Sequence, residues 1–208
     1  MPEPNGVCIW FTGRSGAGKS TVAGELALLL SRHGRIVTTL DIVPCLEKRW
    51  FERTSEGKLI RKAFVAAAIV RHGGVAICVT VSARQETREA VRELIGASSF
   101  VEVFVDTPSD VCLMRRAARG RRPSASKRFK AAYRRLLEVV RFSRHLSYQP
   151  SLSPEVTIHG HSQTPGEAAR TVFWYLVERR FVAPDDAQGC SSGEPANGEL
   201  QTVSNSRP

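Results

Sequence analysis

The sequence predicts an α/β fold in which a doubly wound, parallel sheet of five strands is flanked by helices. Short apolar runs alternate with segments of helical periodicity along most of the chain, and this alternation is typical of parallel sheets. Between the first apolar run and the first helical segment, residues 13–20 read GRSGAGKS and match the motif G-x-x-x-x-G-K-[ST]. The two observations together predict a P-loop nucleotide-binding fold.

The first half of the chain provides three of the five predicted strands. Each is a short run of mainly apolar residues, as expected of strands that are covered on both faces: Val7–Thr12, Ile36–Leu40 and Val75–Val81. Regularly spaced apolar residues predict helices over 19–32, 58–71 and 84–95. Gly34 ends the first of these helices and Gly73-Gly74 the second.

The second half of the chain provides the remaining strands, Val101–Asp106 and Val156–His159. Thr107-Pro108-Ser109-Asp110 predicts a helix start, with Thr107 as the N-cap and Pro108 as the first helical residue. The segment Thr164-Pro165-Gly166-Glu167 repeats this pattern and begins the last helix, which we expect to reach about Arg180. The apolar spacing over 126–146 predicts an amphipathic helix with a basic outer face.

Length and composition indicate a reduced, cytoplasmic protein with no membrane partner. A chain of 208 residues is long enough for one α/β domain, expected over 1–182, and the polar segment 183–208 predicts a disordered tail. The first residues lack the pattern of a signal peptide, and no apolar run approaches the ~20 residues that span a bilayer. The five cysteines are scattered without a CxxC pair, which predicts neither a disulfide framework nor a zinc site.

The residue types of the P-loop suit the binding of ATP and Mg²⁺. Glycines allow successive backbone N–H groups to turn inward around phosphate oxygens, Lys19 reaches the β- and γ-phosphates, and the Ser20 hydroxyl is a ligand for Mg²⁺. The helix that follows adds the positive end of its dipole. The predicted ATP-binding residues are Gly13, Arg14, Ser15, Gly16, Ala17, Gly18, Lys19, Ser20, Thr21, Arg115 and Arg119.

Among P-loop proteins, the sequence favours a small kinase. It lacks the N-K-x-D tetrapeptide of GTPases, and the strand over 75–81 is followed by Ser82-Ala83 instead of the Asp-Glu of motor ATPases. Asp41 follows the second strand, where it either serves as a general base or Mg²⁺-water ligand or caps the next turn. Arg115 and Arg119 follow the fourth strand and are candidate lid residues that neutralise the transferring phosphoryl group.

The sequence resembles the adenylylsulfate (APS) kinase family. The resemblance rests on VCIWFTGRSGAGKSTVAGELALLL from Val7, VRELIG over 91–96, FVEVFVDTPSDVC over 100–112 and YQPSLSPEV from Tyr148. It implies a cytoplasmic, Mg-ATP-dependent kinase that phosphorylates the 3′-hydroxyl of adenylyl sulfate, often as a homodimer. It also implies catalytic roles for Lys19, Asp41 and Ser82. The acceptor contacts that it implies are Phe51, Arg61 and Ser82.

The acceptor motifs depart from the pattern of that family, whereas the P-loop does not. The family's second Asp and the Arg after the second strand are replaced by Val43 and Leu46, and Glu56 stands at another Arg position. These changes remove donors for an anionic acceptor. The family's serine at the position of Ser82 has been assigned as a phosphorylated intermediate; in a direct in-line transfer, Ser82 would only hydrogen-bond the acceptor.

A basic segment over 112–147 contains twelve Lys or Arg residues and one acid, Glu138, while the rest of the chain is nearly neutral. Our hypothesis is that this segment attracts a polyphosphorylated or nucleic-acid acceptor. The alternatives to adenylyl sulfate as acceptor are therefore another nucleotide, a polynucleotide or a small anionic metabolite. A protein that binds ATP through the P-loop without catalysis is a further alternative.

Overall fold

The computed structural model describes residues 6–40, 55–120 and 148–183. They form a five-stranded sheet with flanking helices, as predicted. The strands are β1 (Val7–Thr12), β2 (Val37–Leu40), β3 (Val75–Val79), β4 (Phe100–Asp106) and β5 (Val156–His159). The helices are α1 (Lys19–Arg32), α2 (Ser55–Arg71), α3 (Gln85–Ile95), α4 (Ser109–Gly120) and α5 (Pro165–Glu178), with a short 3₁₀ turn at Ala97–Ser99.

β1 lies at the centre of the sheet, whose strand order is β2-β3-β1-β4-β5. Neighbouring strands are parallel throughout, so their carboxyl ends meet at one edge. The chain builds the side of β2 and β3 first and then crosses to the side of β4 and β5. This reversal opens a crevice at the carboxyl end of β1, where ligands bind in folds of this kind. The P-loop follows β1 directly and lies at that crevice.

Two apolar layers cover the faces of the sheet and hold β1 from both sides. Because side chains alternate along a strand, Val7, Ile9 and Phe11 contribute to the layer that includes α1 and α5. Cys8 and Trp10 contribute to the opposite layer, which includes residues of α2 and α3. The side chains of β1 are all buried. The P-loop therefore starts from a strand that is fixed on both faces.

Element boundaries agree with the sequence prediction at β1, α1 and β5 and differ by one to three residues elsewhere. β3 ends at Val79 instead of Val81, and the chain then turns through Ser82, whose φ is 37°. α2 begins three residues before the predicted position 58. The start of the last helix is confirmed, since Thr164 and Glu167 form a reciprocal capping box.

The predicted start of α4 is wrong by one residue. α4 begins at Ser109 instead of Pro108, and the Cys112 amide donates to the Pro108 carbonyl at 3.0 Å. Thr107 is thus too early in the chain to cap the helix, and its hydroxyl donates to the P-loop instead. The predicted helix over 126–146 and the tail from 184 onward lie outside the described residues.

Candidate active site

Three glycines of the P-loop have backbone conformations that few other residues adopt. The φ angles of Gly13, Gly16 and Gly18 are 141°, 96° and 109°, in the region that residues with a Cβ rarely occupy. Space is limited as well. A Cβ on Gly13 would lie 2.6 Å from the Val105 carbonyl oxygen, and one on Gly16 would lie 2.5 Å from that of Cys112. The glycines therefore allow the loop to pass directly against β4 and α4.

Lys19 is buried inside the P-loop. Its Nζ donates to the carbonyl oxygens of Gly13 and Arg14, both at 2.9 Å. Burial lowers the pKa of Lys19 from 10.5 to about 8, and the nearby positive charge of Arg119 acts in the same direction. A polyanion bound at the loop would raise this pKa again, because its negative charge stabilises the lysine cation more than the two carbonyl dipoles do.

The carbonyl of Ala17 determines which way the backbone of the loop faces. It accepts hydrogen bonds from the Thr107 hydroxyl at 3.0 Å and from Arg115 Nη1 at 3.2 Å. A peptide unit directs its C=O and N–H to opposite sides, so fixing the Ala17 oxygen turns the Gly18 N–H to the other side of the loop. Gly18 is also the N-cap of α1, whose first N–H groups lack helical partners. This arrangement suits a phosphate group.

Gly160, just after β5, packs against the same carbonyl. A Cβ at this position would lie 2.5 Å from Thr107 Oγ1 and 2.8 Å from the Ala17 oxygen. Arg115 Nη2 donates to the Gly160 carbonyl at 2.8 Å, so Arg115 joins the P-loop to the end of β5. No sequence pattern marks Thr107 or Gly160 as a site residue, because a strand-to-helix turn explains Thr107 and no motif includes Gly160.

The two predicted lid arginines have different surroundings. Arg115 is half-buried and bonds to the backbone on both sides of the crevice, as described above. Arg119 is exposed, and its Nε donates to the Arg115 carbonyl at 3.4 Å. Of the two, Arg119 has the side chain that is available to a bound phosphoryl group, whereas Arg115 shapes the loop itself.

The polar residues at the mouth of the loop are open to solvent. Ser15, Ser20 and Thr21 are exposed, so their hydroxyls are accessible to a ligand. Mg²⁺ usually takes one or two protein ligands and completes its octahedron with phosphate oxygens and water. The Ser20 hydroxyl at the start of α1 suits that role. Within the ranges that the structure describes, no three His, Cys, Asp or Glu residues form a metal-binding group.

The structure describes two of the three residues predicted to bind the acceptor, Ser82 and Arg61. Ser82 follows β3 and is buried, and its Oγ accepts a hydrogen bond from Trp10 Nε1 at 2.9 Å and contacts Thr80 Oγ1. The hydroxyl therefore faces the protein interior in this structure. Arg61 is half-buried on α2. Asp41 and Phe51 lie outside the described residues, and their roles stay predictions.

A cleft of about 620 Å³ opens between the first turns of α2 and α3. Glu56 of α2 and Arg84, just before α3, form an ion pair of 3.1 Å in which half or more of each side chain is exposed. Glu86 also lines the cleft, so these three charged residues contribute a net charge of −1. Because α2 follows β2 and α3 follows β3 in this parallel sheet, both helices begin at its carboxyl edge. The cleft thus opens at the same edge as the P-loop.

The fold and the site together define a P-loop nucleotide-binding protein, since a glycine-rich loop with a buried lysine joins the central strand of a parallel sheet to a helix N-terminus. Comparisons with known proteins narrow this class. Residues 5–125 match the model of the adenylylsulphate kinase family. The chain is 32% identical over 193 residues to the adenylyl-sulfate kinase of Halothermothrix orenii, covering 89% of this chain and 98% of that protein. The chain belongs to the adenylylsulfate kinase family.

Solved structures agree with this assignment. The Mycobacterium tuberculosis APS kinase CysC in complex with AMPPNP and APS is 26% identical, with a TM-score of 0.66, and the match covers 83% of this chain and 98% of that one. A hexameric APS kinase from Thiobacillus denitrificans is 27% identical with a TM-score of 0.59, covering 86% of this chain and 30% of that one. The protein is thus an ATP-dependent kinase of the APS kinase type, a phosphotransferase that acts on a hydroxyl group. No helix in the described ranges is long and apolar enough to cross a membrane.

Proposed function

We propose that the protein transfers the γ-phosphoryl group of Mg-ATP to the 3′-hydroxyl of adenylyl sulfate. The observation that supports this proposal is the complete donor site in a chain that matches an adenylyl-sulfate kinase over 98% of that kinase's length. The donor site combines a buried lysine, a helix N-terminus and a loop whose backbone is fixed by Thr107 and Arg115. These are the features that phosphoryl transfer requires, because its catalysis depends on positioning and charge stabilisation.

The residues of the donor site suggest how ATP is held. Lys19 would exchange the carbonyls of Gly13 and Arg14 for β- and γ-phosphate oxygens, which restore the cation's full stability. Backbone N–H groups at the start of α1 would bind the same phosphates. Ser20 would hold Mg²⁺, which neutralises charge on the transferring group. Arg119 would approach that group from α4, while Asp41 is proposed as the general base or as a ligand of Mg²⁺-bound water.

On the acceptor side, we assign Phe51, Arg61 and Ser82 to the adenylyl sulfate site, as the resemblance implies. The buried Ser82 hydroxyl bonds to Trp10, so it would need to turn outward before it could bond an acceptor or receive a phosphoryl group. Direct in-line transfer places no phosphoryl group on this buried hydroxyl, and we therefore favour it over a phosphoserine intermediate.

A second candidate function is phosphorylation of a different hydroxyl acceptor. The exposed carboxylate of Glu56 in the cleft between α2 and α3 favours it, because a negative charge there repels a sulfate or phosphate group. The basic segment 112–147 would instead attract a nucleotide, a polynucleotide or a small anionic metabolite. A protein that binds ATP without transferring phosphate is the remaining alternative.

The experiment is a transfer assay with [γ-³²P]ATP, Mg²⁺ and a panel of acceptors that includes adenylyl sulfate, nucleosides and 5′-hydroxyl RNA. We expect labelled 3′-phosphoadenylyl sulfate as the main product, and no product with the Lys19→Ala variant. Preferred labelling of another acceptor would replace the first proposal by the second. Binding of AMPPNP without transfer to any acceptor would identify a catalytically silent ATP-binding protein.

We further propose, from the resemblance to APS kinases, that the protein acts in the cytoplasm as a homodimer. Light scattering on the purified chain tests the assembly, for which we expect twice the mass of the 22.9 kDa chain. The mass of a single chain over the working concentration range would contradict it.

A further inference from the structure

Tyr148 lies at the junction between the P-loop and the turn after β3. Its side chain is 5% exposed although it carries a hydroxyl. The hydroxyl is 3.1 Å from Thr12 Oγ1, which in turn donates to the Val81 carbonyl at 3.1 Å. The single proton of Thr12 is used in that second bond, so Tyr148 is the donor to Thr12. Burial raises the pKa of Tyr148, so its hydroxyl keeps the proton that it donates.

The ring of Tyr148 contacts both sides of the junction. The guanidinium carbon of Arg14, within the P-loop, lies 5.7 Å from the ring centroid. That of Arg88, from α3, lies 5.8 Å from the same centroid. Phe104 of β4 stacks on the ring, with an interplanar angle of 14°. Cation–π contacts of this kind are strongest where the ring is removed from water, as it is here.

Arg88 joins this ring to the turn at Ser82. The Arg88 side chain is buried, and its Nη1 donates to the Ser82 carbonyl at 2.6 Å, while its Nε lies 3.1 Å from a carboxylate oxygen of Glu102. Its Nη2 donates to the Pro150 carbonyl at 3.3 Å. Two hydrogen bonds of Gln149, to Ala83 and Gln85, fix the residues after Tyr148 to the same turn. Tyr148 therefore has a rigid support on the side away from the P-loop.

We propose that Tyr148 is a positioning residue of the ATP site: its hydroxyl fixes Thr12, and its ring supports the side chain of Arg14, so that the P-loop keeps its phosphate-binding shape. Thr12 and Arg14 flank Gly13, whose carbonyl accepts a hydrogen bond from Lys19. The same side chain lies against Arg88, which connects it to the Ser82 turn on the acceptor side. Tyr148 thus links the two halves of the site, although it lies more than a hundred residues beyond the P-loop in the chain.

The test is isothermal titration calorimetry with Mg-AMPPNP on the whole chain and on its variants Tyr148→Phe and Tyr148→Leu. Tyr148→Phe keeps the ring and loses one hydrogen bond, so we expect affinity to fall about fivefold. Tyr148→Leu also loses the ring contacts, and we expect a loss of roughly 20-fold. No acceptor is present in this titration, so its outcome is separate from that of the proposed adenylyl sulfate reaction.

Tyr175 on α5 provides the matched control, because it is a half-buried tyrosine whose ring has Arg179 5.4 Å away. Tyr175→Phe and Tyr175→Leu should bind AMPPNP within about twofold of the wild type. Thermal unfolding of each variant separates a folding defect from a binding defect. If a folded Tyr148→Leu protein binds as tightly as the Tyr175→Leu control, the proposal is overturned.

A double-mutant cycle keeps the proposal testable if Tyr148→Leu does not fold. Thr12→Val removes the group that receives the Tyr148 hydrogen bond. Tyr148→Phe should then cause no further loss of AMPPNP affinity in the Thr12→Val background, because both changes delete the same bond. Fully additive losses would show that the tyrosine hydroxyl acts elsewhere and would overturn the proposal.

Discussion

The donor side of the site and the proposed acceptor side differ in how far their side chains are buried. On the donor side, the P-loop is held by buried or half-buried side chains: Lys19 lies inside the loop, Thr107 and Arg115 bond to the Ala17 carbonyl, and Tyr148 bonds to Thr12. On the proposed acceptor side, the cleft between α2 and α3 contains the ion pair Glu56–Arg84, in which half or more of each side chain is exposed. A buried, backbone-based site is difficult to change without loss of the fold, whereas exposed side chains are replaced at little cost in stability. The exposed cleft is therefore the part of the site that can change at the least cost in stability.

The largest effect that this comparison predicts is the loss of activity in Lys19→Ala. The substitution removes the charge that neutralises the β- and γ-phosphates, so we expect the rate of phosphoryl transfer to fall about 100-fold or more. Steady-state kinetics with [γ-³²P]ATP measures it. Lys58→Ala, an exposed lysine on α2, is the matched control and should keep wild-type activity. A Lys19→Ala protein with near-normal turnover would show that the donor site is not the one described.

The pH dependence of ATP binding tests the environment of Lys19 itself. Phosphates stabilise the Lys19 cation, so the pKa in the complex is higher than the value of about 8 in the free protein. ATP affinity should consequently be constant below about pH 8 and fall by up to roughly tenfold per pH unit above it. Titration with a fluorescent ATP analogue between about pH 7 and 10 measures this slope. Lys19→Arg removes the titration and should give a flat profile over the same range.

The same pKa has the opposite consequence for the stability of the ATP-free protein. Lys19 is ordinarily protonated up to 10.5 when the chain is unfolded, but only to about 8 in the folded protein. Between these values the unfolded chain binds more protons, so the contribution of Lys19 to the free energy of unfolding rises with pH. Denaturant unfolding of the wild type and Lys19→Met at several pH values isolates the contribution. An identical pH response of the two proteins would mean that burial does not perturb Lys19.

A smaller effect is expected for a substitution at Gly160, which packs against the P-loop from the end of β5. Gly160→Ala would place a methyl group 2.8 Å from the Ala17 carbonyl and 2.5 Å from the Thr107 hydroxyl that bonds to it. The displaced hydrogen bond should weaken ATP binding by about tenfold, with a parallel loss of thermal stability. Gly24→Ala on α1 is the control, because a Cβ there meets no atom within 4 Å and alanine favours helix. Equal ATP affinity of the two variants would contradict a supporting role for Gly160.

The sequence predicts the donor side far better than the acceptor side, for physical reasons. The P-loop depends on glycines and a lysine at fixed spacing, because few other residues adopt the backbone conformation of the loop. In the structure, Gly13, Gly16 and Gly18 all have the positive φ angles that require glycine. Likewise, five strands follow from apolar runs. The contacts of Thr107, Gly160 and Tyr148 with the loop join residues about 90 to 140 positions apart, and no local pattern indicates such contacts. The inward-facing Ser82 hydroxyl is equally invisible in the sequence, because its direction depends on a hydrogen bond from Trp10.

The smallest predicted effect concerns Glu56 in the exposed cleft between α2 and α3. Glu56→Gln removes a negative charge from the cleft and frees Arg84 from its ion pair, while folding should change by about 0.5 kcal/mol or less because the pair is solvated. If adenylyl sulfate binds there, its KM should fall about threefold with kcat unchanged, because repulsion of the anion is removed in both the ground and the transition state. Glu93→Gln, an exposed glutamate on α3 that does not line the cleft, should leave KM unchanged. A KM that responds equally to both substitutions would report only the net charge of the protein, and the acceptor would then bind away from Glu56.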